Sequence, residues 1–218
     1  MDFLSPQILF FLETIIFVSV VALHLVKNKK TAVSAYIIQT AVLATLLISS
    51  YIGEASPLLY VALATTIAIK LVITPYFFFM LMRKHQLTFL VGSYCPMPLT
   101  LIIITALTAL TRSTIFQELT LLNPIGQEFL LVPFATILIS LFLVINRKGI
   151  FSQMLGYLSL ENGIISFALF AGLEQNPGLQ LGITVSILVW IIMATILASL
   201  IFRQFGSLDA SEMKRLTD

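Results

Sequence analysis

Seven long apolar runs constrain this chain more than any other feature of its sequence. They cover residues 5–26, 31–52, 57–82, 87–110, 127–145, 150–171 and 178–202. A helix needs about 20 apolar residues to cross a bilayer, and lipid offers no hydrogen-bond partners to open strands or loops. The sequence therefore predicts an all-α, polytopic membrane helical bundle of about seven transmembrane helices. No linker or low-complexity tract divides residues 1–218, so a single transmembrane domain is expected.

Two prolines, Pro75 and Pro96, mark predicted helix breaks. In the fourth run, the segment 92–98 contains Pro96 and Pro98. Proline removes a backbone donor and disfavours helix at the preceding residue, so a kinked or broken helix is expected near Pro96. In the third run, Pro75 should free a carbonyl one turn earlier, at about Leu71, for water or a cation.

The basic residues predict the orientation of the chain. When the seven runs are threaded through a membrane, Arg112 lies on one face and ten other basic residues lie on the opposite face: Lys27, Lys29, Lys30, Arg83, Lys84, Arg147, Lys148, Arg203, Lys214 and Arg215. Positive charge is retained on the cytoplasmic side during insertion. The N-terminus is therefore expected outside, and the polar tail 204–218, with Gly206 as a helix stop, in the cytoplasm as a solvated end.

Composition and missing motifs exclude several classes of function. With 59% hydrophobic and 10% charged residues, the chain fits no water-soluble class. One Cys and two His cannot form a disulfide framework or a four-ligand zinc or iron–sulfur site. The net charge of +2 does not indicate a nucleic-acid-binding surface. No phosphate-binding loop, dinucleotide fingerprint or catalytic-serine elbow is present. A stand-alone enzyme, or a cofactor or metal held by this chain, is not expected.

Two charged residues lie where a membrane protein tolerates few of them. Lys70 is the one basic residue in the middle of an apolar run, and Glu161 lies at the middle of the sixth run. A charge at the bilayer centre costs about 2.5 to 3.5 kcal/mol by insertion scales, so such residues should face other helices and find partners. Their equal depth predicts that Lys70 and Glu161 meet inside the bundle.

Polar residues at helical spacing extend this pattern into a predicted proton or ion pathway. Thr66 and Thr74 flank Lys70 one turn away, and Gln153 and Tyr157 precede Glu161 at the same spacing. Two further sets lie in the second and first runs: Gln39 with Thr40, and Glu13 with Thr14. The pathway is predicted to include Lys70, Glu161, Tyr157, Glu13 and Gln39.

Each of these residues also has a simpler explanation. Lys70 and Glu161 could form a structural ion pair that clamps two helices, and Glu13 could make an interhelical polar contact. His24, near the cytoplasmic end of the first run, is interpreted as a plain interfacial residue. Gly156 and Gly163, two turns apart, are expected to permit close helix approach. The relay interpretation rests on burial. Burial disfavours the charged forms of both Lys70 and Glu161, which lets protons move between them.

Three segments together resemble a known family. The tail contains Leu208-Asp209-Ala210-Ser211-Glu212, the third run contains Ile69-Lys70-Leu71-Val72-Ile73-Thr74-Pro75, and the sixth contains Gly156-Tyr157-Leu158-Ser159-Leu160-Glu161-Asn162-Gly163. This combination resembles hydrogenase-4 component E, a membrane subunit of formate hydrogenlyase and related group 4 hydrogenases, over nearly the whole chain. The last two helices are also similar to those of the K subunit of complex I and the C subunit of Mrp cation/proton antiporters.

The resemblance implies a non-catalytic subunit of a multisubunit, redox-driven complex that translocates protons or sodium. Such a subunit would lie in the inner or cell membrane of a bacterium or archaeon. Its partners would be antiporter-like membrane subunits and a peripheral redox arm with iron–sulfur clusters, a nickel-iron hydrogenase in the group 4 enzymes. Glu161, Lys70 and Asp209 match the membrane glutamate, the lysine before the proline and the acidic residue of the tail.

The last run departs from the family pattern, because residues 181–202 contain no second membrane carboxylate. The equivalent position falls near Ser186 to Trp190, and a serine hydroxyl can pass a hydrogen bond but does not hold a charge near neutral pH. An assembly scaffold with no ion-conducting role stays open as an alternative. A self-contained small-solute transporter would require inverted repeats with paired broken helices, and one break near Pro96 gives it little support.

Overall fold

The computed structural model describes residues 5–52, 57–85, 92–116, 127–172, 177–206 and 208–209. Within these ranges the regular secondary structure is helical, and isolated β-bridges join Ser93 to Arg147 and Gly149 to Asp209. A 3₁₀ turn (Gln127–Leu130) precedes α6, and a π-helical turn (Ala68–Ile73) joins α3 to α4. The α-helices are α1 (Pro6–Leu25), α2 (Lys29–Tyr51), α3 (Pro57–Ile67), α4 (Thr74–His85), α5 (Met97–Thr111), α6 (Leu131–Asn146), α7 (Ile150–Phe170) and α8 (Pro177–Phe205).

Among the described residues, four helices are long and apolar enough to cross a membrane by length and composition. They are Pro6–Leu25, Lys29–Tyr51, Pro57–Lys84 and Thr184–Phe205, and they correspond to the predicted runs 5–26, 31–52, 57–82 and 178–202. The apolar helices α5 and α6 are shorter, with 15 and 16 residues. Helix α7 has 21 residues but is less apolar, because polar residues lie along much of its length. An all-helical membrane protein is supported, and the full count of seven spans stays a prediction.

A four-helix unit forms the centre of the bundle. Helices α1 and α2 form one antiparallel pair and α6 and α7 another, and α1 packs on α6 while α2 packs on α7. The predicted role of the two glycines is confirmed, because both face α6. A Cβ atom at Gly156 would lie 2.9 Å from Val144 Cγ2, and one at Gly163 would lie 3.1 Å from Ile137 Cγ1. Only hydrogen at these positions permits this approach of the two backbones.

The third run packs beside this unit as one continuous helix with a widened turn. Helices α3 and α4 contact α8, and the π-helical turn contacts α2. In this turn the Thr74 N–H donates to the carbonyl of Ile69, five residues back. In the same pattern the N–H of residue 75 would donate to the carbonyl of Lys70, but residue 75 is a proline and has no N–H. The Lys70 carbonyl, next to the predicted position at Leu71, therefore lacks a helical partner, and the Tyr36 hydroxyl donates to it at 3.3 Å. The helical backbone continues through Pro75, so the predicted break there is a widened turn instead.

Helix α5 begins at Met97, with Pro96 in extended conformation as its N-cap. The preceding residues are fixed to the end of α6 by Asn146. Its side-chain oxygen accepts from the N–H of Cys95 at 2.8 Å, and its amide nitrogen donates to Thr100 Oγ1 at 3.3 Å. The first part of the predicted fourth run, residues 87–91, lies outside the described residues.

The interpretation of His24 as a plain interfacial residue was wrong. His24 is buried, its Nε2 lies 3.1 Å from the carbonyl oxygen of Ile139, and its ring stacks on Phe142. Arg147 explains this burial, because its guanidinium donates to the carbonyls of Leu23 and His24 at 2.9 and 2.7 Å and so caps the end of α1. Burial lowers the pKa of the Arg147 guanidinium, and the carbonyls offset this cost by accepting bonds from its charged form.

The tail begins where the sequence predicts. Helix α8 ends at Phe205, and Gly206 adopts a left-handed φ of 68°. Instead of leaving the bundle at once, the chain turns back to the loop between α6 and α7. Leu208 is buried and its carbonyl accepts from Ile150 N at 3.1 Å, and Asp209 forms a β-bridge with Gly149. This part of the tail is packed rather than solvated, and residues 210–218 lie outside the described residues.

The two glycines on α7 give a test of the packing. Gly156→Ala and Gly163→Ala should each lower the free energy of unfolding by about 1–3 kcal/mol relative to Gly182→Ala, because the new methyl groups overpack the α6 contact. A Cβ atom at Gly182 on α8 would have no neighbouring atom within 4 Å, so its substitution controls for helix propensity. Unfolding in sodium dodecyl sulfate, followed by circular dichroism, measures the difference. Equal stability of the three variants would contradict the close packing.

Candidate functional site

Lys70 lies at the junction between the four-helix unit and the third run. Its side chain is 1% exposed, and it projects from the π-helical turn toward α7. Lys70 Nζ donates to Asn162 Oδ1 at 2.7 Å and lies 3.6 Å from Glu161 Oε2. The amine that the sequence places at mid-depth is therefore buried beside a carboxylate and an amide oxygen.

Glu161 lies at the edge of this cluster rather than in its centre. Its side chain is 12% exposed, and Glu161 Oε2 accepts no hydrogen bond from the described residues. The closest approach to Lys70 is an ion-pair distance. One partner of the pair is thus enclosed by protein, while the other has limited access to the surroundings of the bundle.

Asn162 connects Lys70 to the second helix. Its side-chain oxygen accepts from Lys70, and its Nδ2 donates to Gln39 Oε1 at 3.3 Å and to Thr40 Oγ1 at 3.1 Å. Asn162, Gln39 and Thr40 are all buried. The predicted pathway includes Gln39 but not Asn162, although the order Glu161-Asn162-Gly163 places a second polar residue at the depth of Glu161.

Hydroxyl groups continue the hydrogen bonds to the sixth helix. Ser159 Oγ donates to Gln39 Oε1 at 3.0 Å, and Ser140 Oγ donates to Ser159 Oγ at 3.3 Å. We refer to the connected side chains as the Asn162 network: Gln39, Thr40, Lys70, Ser140, Ser159, Glu161 and Asn162. It crosses the bundle from the third run through α7 and α2 to α6. All of its members except Glu161 are buried, and hydrogen bonds join them to one another.

Within the described part of the chain, no hydrogen bond joins Tyr157 to the Asn162 network. It is 39% exposed and stacks on Trp190 of α8, with ring centroids 4.3 Å apart. Gln153, in the same predicted stripe, donates to the carbonyl of Arg147. Gln153 and Tyr157 point away because the glycine face of α7 is turned to α6, which directs Asn162 rather than Tyr157 into the interior. On the third run, in contrast, Thr66, Lys70 and Thr74 are all buried.

Glu13 is buried on α1, at 1% exposure, apart from the Asn162 network. Neither of its carboxylate oxygens has a hydrogen-bond partner among the described residues. The Gln39 amide nitrogen is also without one in the same set of residues. Burying a carboxyl group costs much less when it is neutral than when it is charged. Glu13 is therefore a second buried acid, and no direct bond joins it to Lys70.

Helix α8 presents hydroxyl groups rather than a carboxylate to the bundle. Ser186, the first residue of the stretch 186–190 in which the resemblance predicts an acid, lies on the exposed face. Thr184 is buried instead, and its Oγ1 lies 2.8 Å from Thr66 Oγ1 of α3. Within the described part of the chain, no group of three or more His, Cys, Asp and Glu side chains is placed to hold a metal ion.

Comparisons with known proteins give a partial similarity. Over 121 residues the chain is 35% identical to an uncharacterized protein of Mycobacterium tuberculosis, Rv0085, and this match covers 54% of each chain. The chain thus matches about half the length of that relative. No family model and no solved structure matches the chain. This similarity carries no information about what either protein does.

Asn162 and Ser166 allow the network to be tested on one helix. Asn162→Ala removes three hydrogen bonds, and since such bonds between membrane helices average about 0.6 kcal/mol each, unfolding should become easier by about 2 kcal/mol. Ser166→Ala removes an equally buried hydroxyl that has no partner among the described residues, so it should change stability little. Fluorescence of the single Trp190 during detergent unfolding measures both. Two equal midpoints would contradict the network.

Proposed function

We propose that this chain is a non-catalytic membrane subunit of a redox-driven complex that translocates protons or sodium, of the group 4 hydrogenase and complex I type. It would cross the bacterial or archaeal cell membrane seven times, with its N-terminus outside and its C-terminus in the cytoplasm. Antiporter-like subunits and a peripheral iron–sulfur redox arm would be its partners. Its own contribution is a polar axis at mid-membrane built on Lys70 and Glu161.

The observation that carries this proposal is the buried amine of Lys70 between Asn162 at 2.7 Å and Glu161 at 3.6 Å. Ionisable groups inside membrane proteins are rare and mark ion pathways and proton relays. The resemblance to hydrogenase-4 component E rests on the same residues. Four apolar helices of membrane length, with basic residues concentrated at the ends of the runs, support the membrane placement.

The attraction between Lys70 and Glu161 offsets most of the cost of burying them. At 3.6 Å and an effective dielectric constant of about 20, the attraction between the two charges is about 5 kcal/mol. Burying the two charges costs about 5 to 7 kcal/mol by insertion scales. Because these values are comparable, the charged pair is held in the bundle at little net cost. A proton that binds to Glu161 removes this attraction and leaves the Lys70 ammonium buried without its counter-charge, which favours release of a proton from Lys70.

The geometry gives each residue a distinct task. Glu161, at the edge of the cluster, exchanges protons with the neighbouring subunit or with water. Lys70 receives them inside the bundle, and Asn162 positions its amine by accepting a hydrogen bond. The hydroxyls of Thr40, Ser159 and Ser140 can both donate and accept, so they extend the hydrogen-bonded route toward α6. Glu13 offers a further acid on α1.

An assembly scaffold is the second candidate, and the Asn162 network itself favours it. Asn162 joins the third run to α2 through three hydrogen bonds, which would fix the helices without any proton movement. A buried pair of this kind is replaceable by apolar side chains at little cost when its only task is structural. The two candidates therefore differ in what happens when both charges are removed together.

Replacement of Glu161 tests ion translocation. In the assembled complex, Glu161→Gln should lower the number of ions moved per electron, since an amide cannot take up or release the proton. Reconstituted vesicles with a pH-sensitive dye and a redox assay measure this ratio. Ser166→Ala, on the same helix, serves as the control for insertion and assembly and should leave the ratio unchanged.

Two outcomes would reject the pumping role. Unchanged coupling in a fully assembled Glu161→Gln complex would exclude Glu161 as a carrier. Normal coupling and assembly in the double variant Lys70→Met with Glu161→Gln would select the scaffold. Tyr157→Phe keeps the stacked ring on Trp190 and removes only the hydroxyl, so a loss of coupling there would add Tyr157 to the route.

A further inference from the structure

Two open grooves run along the surface of α4 and share two of its residues, Met80 and Lys84. The first has a volume of about 390 Å³ and lies between α4 and α8, where Ile196 and Leu200 form part of its wall. The second has a volume of about 610 Å³ and lies against Tyr76, Phe79 and Arg83 of α4. Both volumes fall within the range of about 300–1,000 Å³ typical of sites for small ligands.

The grooves have apolar walls and one basic end. Lys84 and Arg203 lie at that end of the first groove, and Arg83 and Lys84 line the second. All three cations are exposed, and no ion pair joins them to any residue that the structure describes. No Asp or Glu is present among the lining residues of either groove. The surface is therefore complementary to an anion that carries long apolar chains.

We propose that this surface binds one anionic diacyl phospholipid, with an acyl chain in each groove and its phosphate at the basic end formed by Arg83, Lys84 and Arg203. Basic pockets between transmembrane helices bind anionic lipid head groups. The first groove, between α4 and α8, is of this kind, and the second lies beside it along α4 alone. In the proposed topology this end faces the cytoplasmic leaflet. The inference needs the chain to be in a membrane, but it does not depend on ion translocation.

The adjoining grooves distinguish these three cations from the other exposed basic residues of the chain. Lys27 and Lys30 are exposed at the same end of the bundle, but they line neither groove. A neutral lipid would fill the grooves without compensating the three cations. A helix of a neighbouring subunit would compensate the three cations only if it carried acidic side chains at the same depth. The anionic lipid supplies both the apolar chains and the negative charge.

Lipid titration of the purified full chain tests the site. In a neutral detergent, native mass spectrometry should detect one tightly bound dioleoyl phosphatidylglycerol and weaker binding of dioleoyl phosphatidylcholine. Each lost cation should weaken phosphatidylglycerol binding about fivefold, so Lys84→Gln with Arg203→Gln should weaken it about 25-fold. The matched control, Lys27→Gln with Lys30→Gln, removes the same charge outside the grooves and should bind like the unmodified chain.

A second variant separates the grooves from the charges. Ile196→Trp, at a lipid-facing position with 54% exposure, should fill the first groove and weaken binding although all three cations remain. Equal binding of the two lipids, equal loss in both double variants, or unchanged binding in Ile196→Trp would each overturn the proposal. A photoreactive residue at position 196 of the assembled complex should capture lipid, and capture of another subunit would also overturn it.

Discussion

The fold depends on the burial of one ammonium group, that of Lys70, in the middle of an apolar bundle. Lipid tails and the apolar side chains of the surrounding core cannot accept its hydrogen bonds, so the charge requires specific partners. Asn162 supplies an oxygen at 2.7 Å, and Glu161 supplies a carboxylate at 3.6 Å. Because Asn162 donates at the same time to Gln39 and Thr40, satisfying one lysine fixes α2, α7 and the third run at a common depth.

The backbone around Lys70 is adapted to the same requirement. The π-helical turn and the missing N–H of Pro75 leave the Lys70 carbonyl for Tyr36, so both the side chain and the main chain of this residue are bonded to neighbouring helices. On the other side, Gly156 and Gly163 let α7 approach α6. That close contact turns the Asn162 face of α7 inward and leaves Glu161 at the edge, where exchange with a neighbour is feasible.

The sequence predicts some of these features and not others, for physical reasons. The length of the apolar runs predicts the helices. Two glycines two turns apart predict the close contact of one helix with its neighbour, and equal depth in the membrane predicts that Lys70 and Glu161 meet. Which polar residue of α7 points inward depends on the rotation of that helix, which packing sets and periodicity does not. The sequence analysis missed the role of Asn162 and the burial of His24. Both depend on contacts with other helices, α2 for Asn162 and α6 for His24, and no local sequence pattern records such contacts.

The central claim is that the Lys70–Glu161 pair changes its protonation instead of serving as a fixed clamp. Infrared difference spectroscopy of the complex in lipid, recorded as the pH is changed, measures this directly through the carboxyl stretching band. The account predicts a carboxyl band that titrates and is lost when Glu161 is replaced by Gln. A spectrum in which no band assigned to Glu161 changes across the working pH range would contradict it and would leave an inert structural pair.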